Sequence, residues 1–283
     1  MLRYLLSSLL PLTATCFSPM RAHESPNLPV LSQEAVAPVA AGALERVAVI
    51  GASASAGFLL PTDLGETLDW LLDCEHEPVL AVASSRFFLD PYGNARRQVA
   101  AAEAAEASAV VALDFLFWFS YGLVANESDR LRLLESGLEF LESFDCPLLT
   151  STVPDMRAST GKMLMAAQVP SVETLQKLNQ RIEEWAAGRP NVVLVHLPRW
   201  HTRFLAGERF DVDGIQWPPR PTDSLLLWDQ LHPTIEGLSL LSCKILEHLA
   251  EASPEIDRRA IRLDPRRVAG PLHARMKSIM GRR

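Results

Sequence analysis

Short apolar runs alternate with longer amphipathic stretches through most of the chain. Arg46-Val47-Ala48-Val49-Ile50 ends at Gly51. Nearly unbroken runs of this kind, bounded by turn residues, predict strands buried on both faces, as in a parallel sheet. Similar runs predict strands over Val79–Ala83, Ala109–Leu113, Pro147–Thr150 and Asn191–His196. Helices are predicted between them over Asp63–Leu72, Ala95–Ala107, Asp129–Phe144 and Val172–Ala187. In the last of these Leu175, Leu178, Ile182 and Trp185 fall on one stripe. A further amphipathic run spans Thr234–Ala250. Five strand–helix alternations predict an α/β fold, with about five parallel strands and helices on both faces. The alternation stops between Pro198 and Asp229, a segment holding Trp200, Trp217, Pro218, Pro219 and Pro221. It reads as a long loop, either a wall of a site or a surface decoration.

Composition sets bounds. The chain has 283 residues and 48% hydrophobic content, enough for one large domain with a substantial core. No internal repeat or second domain is visible. The formal net charge of −7 is uneven: Asp257–Arg283 holds nine Lys/Arg and two Asp/Glu, which leaves 18 basic and 32 acidic residues elsewhere. An acidic body gives no reason to expect nucleic-acid binding. The basic end, placed at 254–283, reads as a solvated tail or one that touches anionic lipid. Met1-Leu2-Arg3 and the apolar run Tyr4–Phe17 predict an export leader over 1–22, and the Pro/Ala/Ser-rich stretch after it a linker over 23–43. The ordered domain is then 44–253, periplasmic or secreted; the alternative is an apolar N-terminus on a cytoplasmic protein. Cys16, Cys74, Cys146 and Cys243 have neither disulfide-framework nor zinc spacing. His196 and His201 lack ligand companions, so neither metal nor cofactor is expected.

Two stretches carry candidate chemistry. The first strand empties into Gly51-Ala52-Ser53-Ala54-Ser55-Ala56-Gly57, where small residues let the chain turn sharply and expose a hydroxyl. Its spacing is not that of G-x-G-x-x-G, of a P-loop or of the G-x-S-x-G elbow. Near the other end, Asp229-Gln230-Leu231-His232-Pro233-Thr234 sets a carboxylate three residues before an imidazole, at a helix entrance. An Asp turned back onto a His fixes its tautomer and stabilises its charged form. Read alone, the first stretch is equally a turn without a role, and the second a helix entrance with two polar residues.

Together, Val49-Ile50-Gly51-Ala52-Ser53-Ala54-Ser55 and Asp229-Gln230-Leu231-His232-Pro233-Thr234 resemble the G-D-S-x-S turn and D-x-x-H-P motif of the SGNH (GDSL-like) hydrolases, with Ala52 in place of the usual Asp. Weaker similarity lies over Pro147–Met156 and Leu178–Leu197, and the resemblance spans about Arg46 to Ala250. It implies a three-layer flavodoxin-like fold, Ser53 as nucleophile, His232 as base and Asp229 as the residue orienting it. It also implies an oxyanion hole from the Ser53 N–H, a glycine N–H after the second strand, for which Gly93 is the candidate, and an asparagine after the third strand. That asparagine has no counterpart: Asp114-Phe115-Leu116-Phe117-Trp118 follows the third strand. Asn94 or the Trp118 indole would have to stand in for it. Asp114 either positions a serine or backbone N–H, or is a structural residue at a strand end. The implied activity is cleavage of a small-molecule or glycan ester without a cofactor. The alternatives are acyl transfer on the same fold, or a catalytically weak binding protein.

Overall fold

The computed structural model describes residues 42–282. The leader, and the linker up to residue 41, lie outside the described residues. Strand β1 (Val47–Val49) is followed by α1 (Leu64–Asp69), β2 (Leu80–Ala81), α2 (Pro91–Ala104) and β3 (Ala109–Ala112). Next come the short α3 (Phe117–Ser120), α4 (Asp129–Leu141), β4 (Leu148–Ser151), α5 (Val172–Ala187) and β5 (Val192–Val195). The five strands form one sheet in the order β2-β1-β3-β4-β5, with every pairing parallel. This is the flavodoxin-like order, in which the switch point lies between β1 and β3.

The period of two in a strand sorts its side chains into two cores. Val47 and Val49 of β1, Val111 of β3 and Leu149 of β4 face one layer, with α1 and the C-terminal helices. Ala48, Ile50, Val110, Ala112 and Leu148 face the other, with α2, α4 and α5. The central strands β1, β3 and β4 are buried on both faces, which is why they read as unbroken apolar runs rather than alternating ones. Local chemistry sets the helix starts. Asp63 caps α1 by accepting from the Glu66 N–H, and Ser171 caps α5 by accepting from Thr174. Helix α2 begins four residues before the expected Ala95, because Pro91 takes its first position and the Asp90 carboxylate caps the Gly93 N–H.

Two expectations need correction. The segment Pro198–Asp229 is not bare loop: it holds most of α6 (Leu197–Leu205) and an antiparallel hairpin of β6 (Phe210–Val212) and β7 (Ile215–Trp217). Each element is short, and Phe204, Phe210, Val212 and Trp217 are buried in the core. The basic end is not a solvated tail. After α7 (Ile235–Ala252), α8 (Arg266–Met280) packs Val268, Ala269 and Leu272 into that same core. Its charges meet the acidic body: Arg275 pairs with Glu66, His273 with Glu236, and Arg267 with Asp73. No described helix is long and apolar enough to cross a membrane.

Leu272 is fully buried, so Leu272→Ala should cost about 2–4 kcal/mol through lost burial and the cavity left behind. Urea unfolding measures it; a loss below about 0.5 kcal/mol would mean that α8 is an appendage after all.

Candidate active site

The carboxyl end of β1 is held open for a tight turn. Gly51 has φ near +149°, in the region where only glycine sits comfortably. A Cβ there would run into Asp114 Oδ1 and lie 3.0 Å from Ser55 Oγ. Its peptide is clamped by buried Gln98 of α2, which accepts from the Gly51 N–H at 2.7 Å and donates to the Gly51 carbonyl at 3.0 Å. The next residues wrap around the carboxylate of Asp114, just past the end of β3. Oδ1 accepts from the Ala52 N–H (2.9 Å) and the Ser55 hydroxyl (2.6 Å). Oδ2 accepts from the N–H groups of Ala54 (2.8 Å) and Ser55 (3.2 Å). The Ser53 N–H finds no acceptor among the described residues and stays available at the site.

The second part of the site arrives on the connection into α7. Thr234 caps that helix by accepting from the Gly237 N–H, which leaves Pro233 and His232 just outside it. The connection is fastened from three sides. Ser159 donates to the Asp229 carbonyl at 2.8 Å, and His201 Nε2 to the Gln230 carbonyl at 2.9 Å. The Leu227 N–H donates to the His232 carbonyl at 2.8 Å. Gln230 takes φ near +61° at this bend. Asp229 turns back on its own segment: Oδ1 accepts from the Leu231 and His232 N–H groups, both at 3.0 Å, and Oδ2 lies 2.7 Å from His232 Nδ1. Nε2, on the far side of that ring, lies 2.8 Å from Ser53 Oγ. Phe58 stacks on the imidazole, with 4.1 Å between ring centres.

Ser53, His232 and Asp229 thus form one hydrogen-bonded chain across 179 positions of sequence separation. Asp229 and His232 are almost wholly buried, at 0% and 1% exposed. Burial pushes the Asp229 carboxyl upward, but the His232 side chain and the His232 and Leu231 N–H groups outweigh it and hold the pKa below the usual value. An ionised Asp229 keeps the proton on Nδ1, so Nε2 is the acceptor for the Ser53 hydroxyl. Such an arrangement can draw a proton from the serine as it attacks an electrophile.

The structure does not bring Gly93 or Asn94 to this chain. The Gly93 N–H caps α2 on Asp90 at 2.9 Å. The Asn94 amide donates to the carbonyls of Asp90 (2.8 Å) and Phe87 (3.4 Å). Neither has a donor to spare for an oxyanion, so both oxyanion expectations are corrected. What lies in the cleft beside Ser53 is Ser85, from the turn after β2, and Trp118 of α3. Of the two sequence readings of Asp114, the structure bears out the positioning one: it holds the Ser55 hydroxyl and the N–H groups of Ala52, Ala54 and Ser55. Among the described residues, no group of three His, Cys, Asp or Glu is placed to hold a metal. Cys74, Cys146 and Cys243 are free thiols.

One buried cation braces the walls of the cleft. Arg130 of α4, 2% exposed, donates to the carbonyls of Ser120, Gly122 and Ala167 at 3.0–3.1 Å and to Glu127 at 2.9 Å. Glu127 also accepts from the Ser171 N–H at 2.7 Å. The loops after α3 and before α5 are thereby tied together. Tyr121 donates to the Pro154 carbonyl and accepts from the Met156 N–H, both at 2.8 Å, tying α3 to the loop after β4.

Asp114→Asn replaces one acceptor oxygen with an N–H donor facing N–H groups. It should lower the rate of Ser53 modification on the order of 10²-fold, with a smaller effect on melting temperature than a core truncation. Stopped labelling with a fluorophosphonate, read beside thermal melts, distinguishes the two. A second expectation concerns pH. Burial pushes Glu127 up, but the hydrogen bonds from Arg130 and Ser171 dominate and bring it down to about 2. A depressed carboxyl contributes stability above its ordinary titration range and loses it as pH falls through the folded-state value. The melting-temperature advantage of wild type over Glu127→Gln should therefore be full at pH 6 and vanish as pH approaches about 2. An advantage that does not change with pH would detach Glu127 from the brace.

No protein-family model matches the chain, and no curated protein does. Among solved structures it is similar to a lipase/acylhydrolase from Enterococcus faecalis, at 17% identity and a TM-score of 0.48, over 73% of this chain and 96% of that one. It is similar also to a GDSL-like lipase from Bacteroides thetaiotaomicron, at 17% identity and a TM-score of 0.45, over 74% and 89% of the two chains.

Proposed function

We propose that this chain is a serine ester hydrolase. The observation that carries the reading is the relay itself: Ser53 Oγ, His232 Nε2, His232 Nδ1 and Asp229 Oδ2 are joined by contacts of 2.8 and 2.7 Å, and the base and its partner are buried. Relays of this geometry serve acyl transfer, and solvent exclusion strengthens the electrostatics on which they depend.

In the first step Ser53 Oγ attacks the ester carbonyl carbon as its proton passes to His232 Nε2. The Ser53 N–H, without an acceptor among the described residues, stabilises the oxyanion, and the Trp118 indole N–H in the same cleft is the candidate second donor. The tetrahedral intermediate expels the alcohol, which takes the proton from His232, and leaves an acyl group on Ser53. Water then attacks that carbonyl with His232 again as base. The acid departs and the proton returns to Ser53. Asp229 stays ionised and orients the ring throughout. One oxyanion donor is typically worth on the order of 10²–10³ in turnover, so a site without the asparagine is expected to be slow unless Trp118 makes up the difference.

The test is active-site labelling. A fluorophosphonate should label the wild type with a 1:1 mass increment on Ser53, and Ser53→Ala should take none. Asp229→Asn, which favours the wrong tautomer, should lower kcat on 4-nitrophenyl butyrate on the order of 10³–10⁴-fold. A folded wild type that takes no label and turns over no ester would leave a binding protein instead of a hydrolase.

A further inference from the structure

Two cavities meet at Ser53 and His232, and they differ in kind. The inner one, about 60 Å³, runs beneath the nucleophile turn toward β4 and α6. Its walls include Leu113, Leu116, Phe117, Met156, Phe204 and Leu241, each less than 10% exposed. Its polar groups are already engaged: Ser151 Oγ with the Leu113 carbonyl, His201 with the Gln230 carbonyl, and Asp114 with the turn. The outer one is a cleft of about 620 Å³. Its rim is Phe88, Leu89, Tyr92, Leu123, Met163 and Met165, which are 38–67% exposed. No Lys, Arg or Glu lines either space.

The order of events in two-step acyl transfer decides which space takes which half of the substrate. The alcohol must leave while the acyl group is still bonded to Ser53 Oγ. Water must then approach the same carbon from the side that the alcohol vacated, where His232 Nε2 can take its proton. The alcohol side therefore has to open to solvent, whereas the acyl side need not. Only the outer cleft has a wall of exposed residues. We infer that the inner cavity holds the acyl group and the outer cleft the alcohol, so that the substrates are short-acyl esters of a bulky apolar alcohol. A water fills about 10–15 Å³ on this scale. The inner cavity thus has room for roughly five such groups, an acyl chain of about three to six carbons. The absence of cationic side chains from both linings disfavours phosphorylated or carboxylated substrates, which would lose hydration without gaining a partner.

This inference rests on the ester-hydrolase reading, and the experiment separates the two. Purified full chain is given 4-nitrophenyl esters from acetate to decanoate, then a butyrate series with ethyl, benzyl and 2-naphthylmethyl alcohols followed by pH-stat. Labelling by fluorophosphonate runs in parallel. In the acyl series kcat/KM should peak at butyrate or hexanoate and fall at least about 30-fold by decanoate. In the alcohol series it should rise at least about 10-fold from ethyl to naphthylmethyl. Phe117→Ala should move the acyl optimum to longer chains and leave the alcohol preference alone. Leu89→Asp, on the exposed rim, should erase the naphthylmethyl advantage and leave the acyl optimum alone. A wild type that is labelled on Ser53 but prefers decanoate, or ignores the alcohol, overturns the partition while the hydrolase reading stands. A wild type with neither label nor turnover overturns the hydrolase reading, and the partition with it.

Discussion

The carboxylate of Asp114 is the point on which the site depends. It stands at the end of β3, and the turn after the neighbouring strand β1 is wound around it through three backbone N–H groups and one hydroxyl. Charge-assisted bonds of this kind are each worth roughly 1.5–3 kcal/mol, and a half-buried carboxylate without them has part of its desolvation uncompensated. The arrangement is therefore strongly favoured or strongly resisted, with little between. It also fixes which N–H of the turn is left over. Ala52, Ala54 and Ser55 direct theirs to Asp114, and Ser53 alone keeps its own. The availability of that N–H at the nucleophile is a by-product of how its neighbours are satisfied.

The histidine side is organised on the opposite principle. The Asp229–His232 segment is gripped from outside by Ser159, His201 and Leu227, each through a main-chain atom. Asp229 then satisfies the segment internally, through the N–H groups of Leu231 and His232. A buried carboxylate–imidazole pair costs desolvation, and it is tolerated only when the remaining lone pairs and protons are also occupied. Here Ser53 occupies the last ring nitrogen. The two halves of the site thus complete one another's hydrogen bonding, which couples local stability to catalytic geometry.

How much of this was legible in the sequence depended on whether the cause was local. The strands read correctly because an apolar run between turns marks the doubly covered β1, β3 and β4, and the edge strands β2 and β5 keep the same apolar run at lower burial. The contact between Asp229 and His232 was legible because a carboxylate three residues before an imidazole can reach back to it within one bend. Gly93 read wrongly because a glycine after a strand is equally a helix position: Pro91 and Asp90, three residues or fewer upstream, pulled it into the first turn of α2. The stretch after Pro198 concealed a helix and a hairpin because each is shorter than the window over which a period can be counted. The basic end misled through its charge, since composition reports a sum of charges and not the acidic partners that Asp73, Glu66 and Glu236 supply from elsewhere in the fold. For Asp114 the sequence offered the right alternative, the positioning of a serine or backbone N–H, without naming the donors. Its donors lie about 60 positions away.

The segment from Asp114 to Trp118 serves both the turn that holds Ser53 and the walls of the two cavities. An asparagine side chain here would present one donor to an oxyanion. Here instead Asp114, ahead of helix α3, secures the turn that holds Ser53, while Phe117 of that helix walls the inner cavity and Trp118 the outer cleft. On the ester-hydrolase reading, an apolar substrate seated between these aromatic walls would displace water from around Ser53, and a charge–dipole interaction strengthens as the effective dielectric falls. The Ser53 N–H then acts in drier surroundings than it would beside an exposed amide. On the proposed function, a site with few oxyanion donors and much aromatic wall would rely on desolvation for part of its stabilisation. Such a site favours substrates that exclude water themselves, and an apolar alcohol seated in the outer cleft does that at the moment of attack.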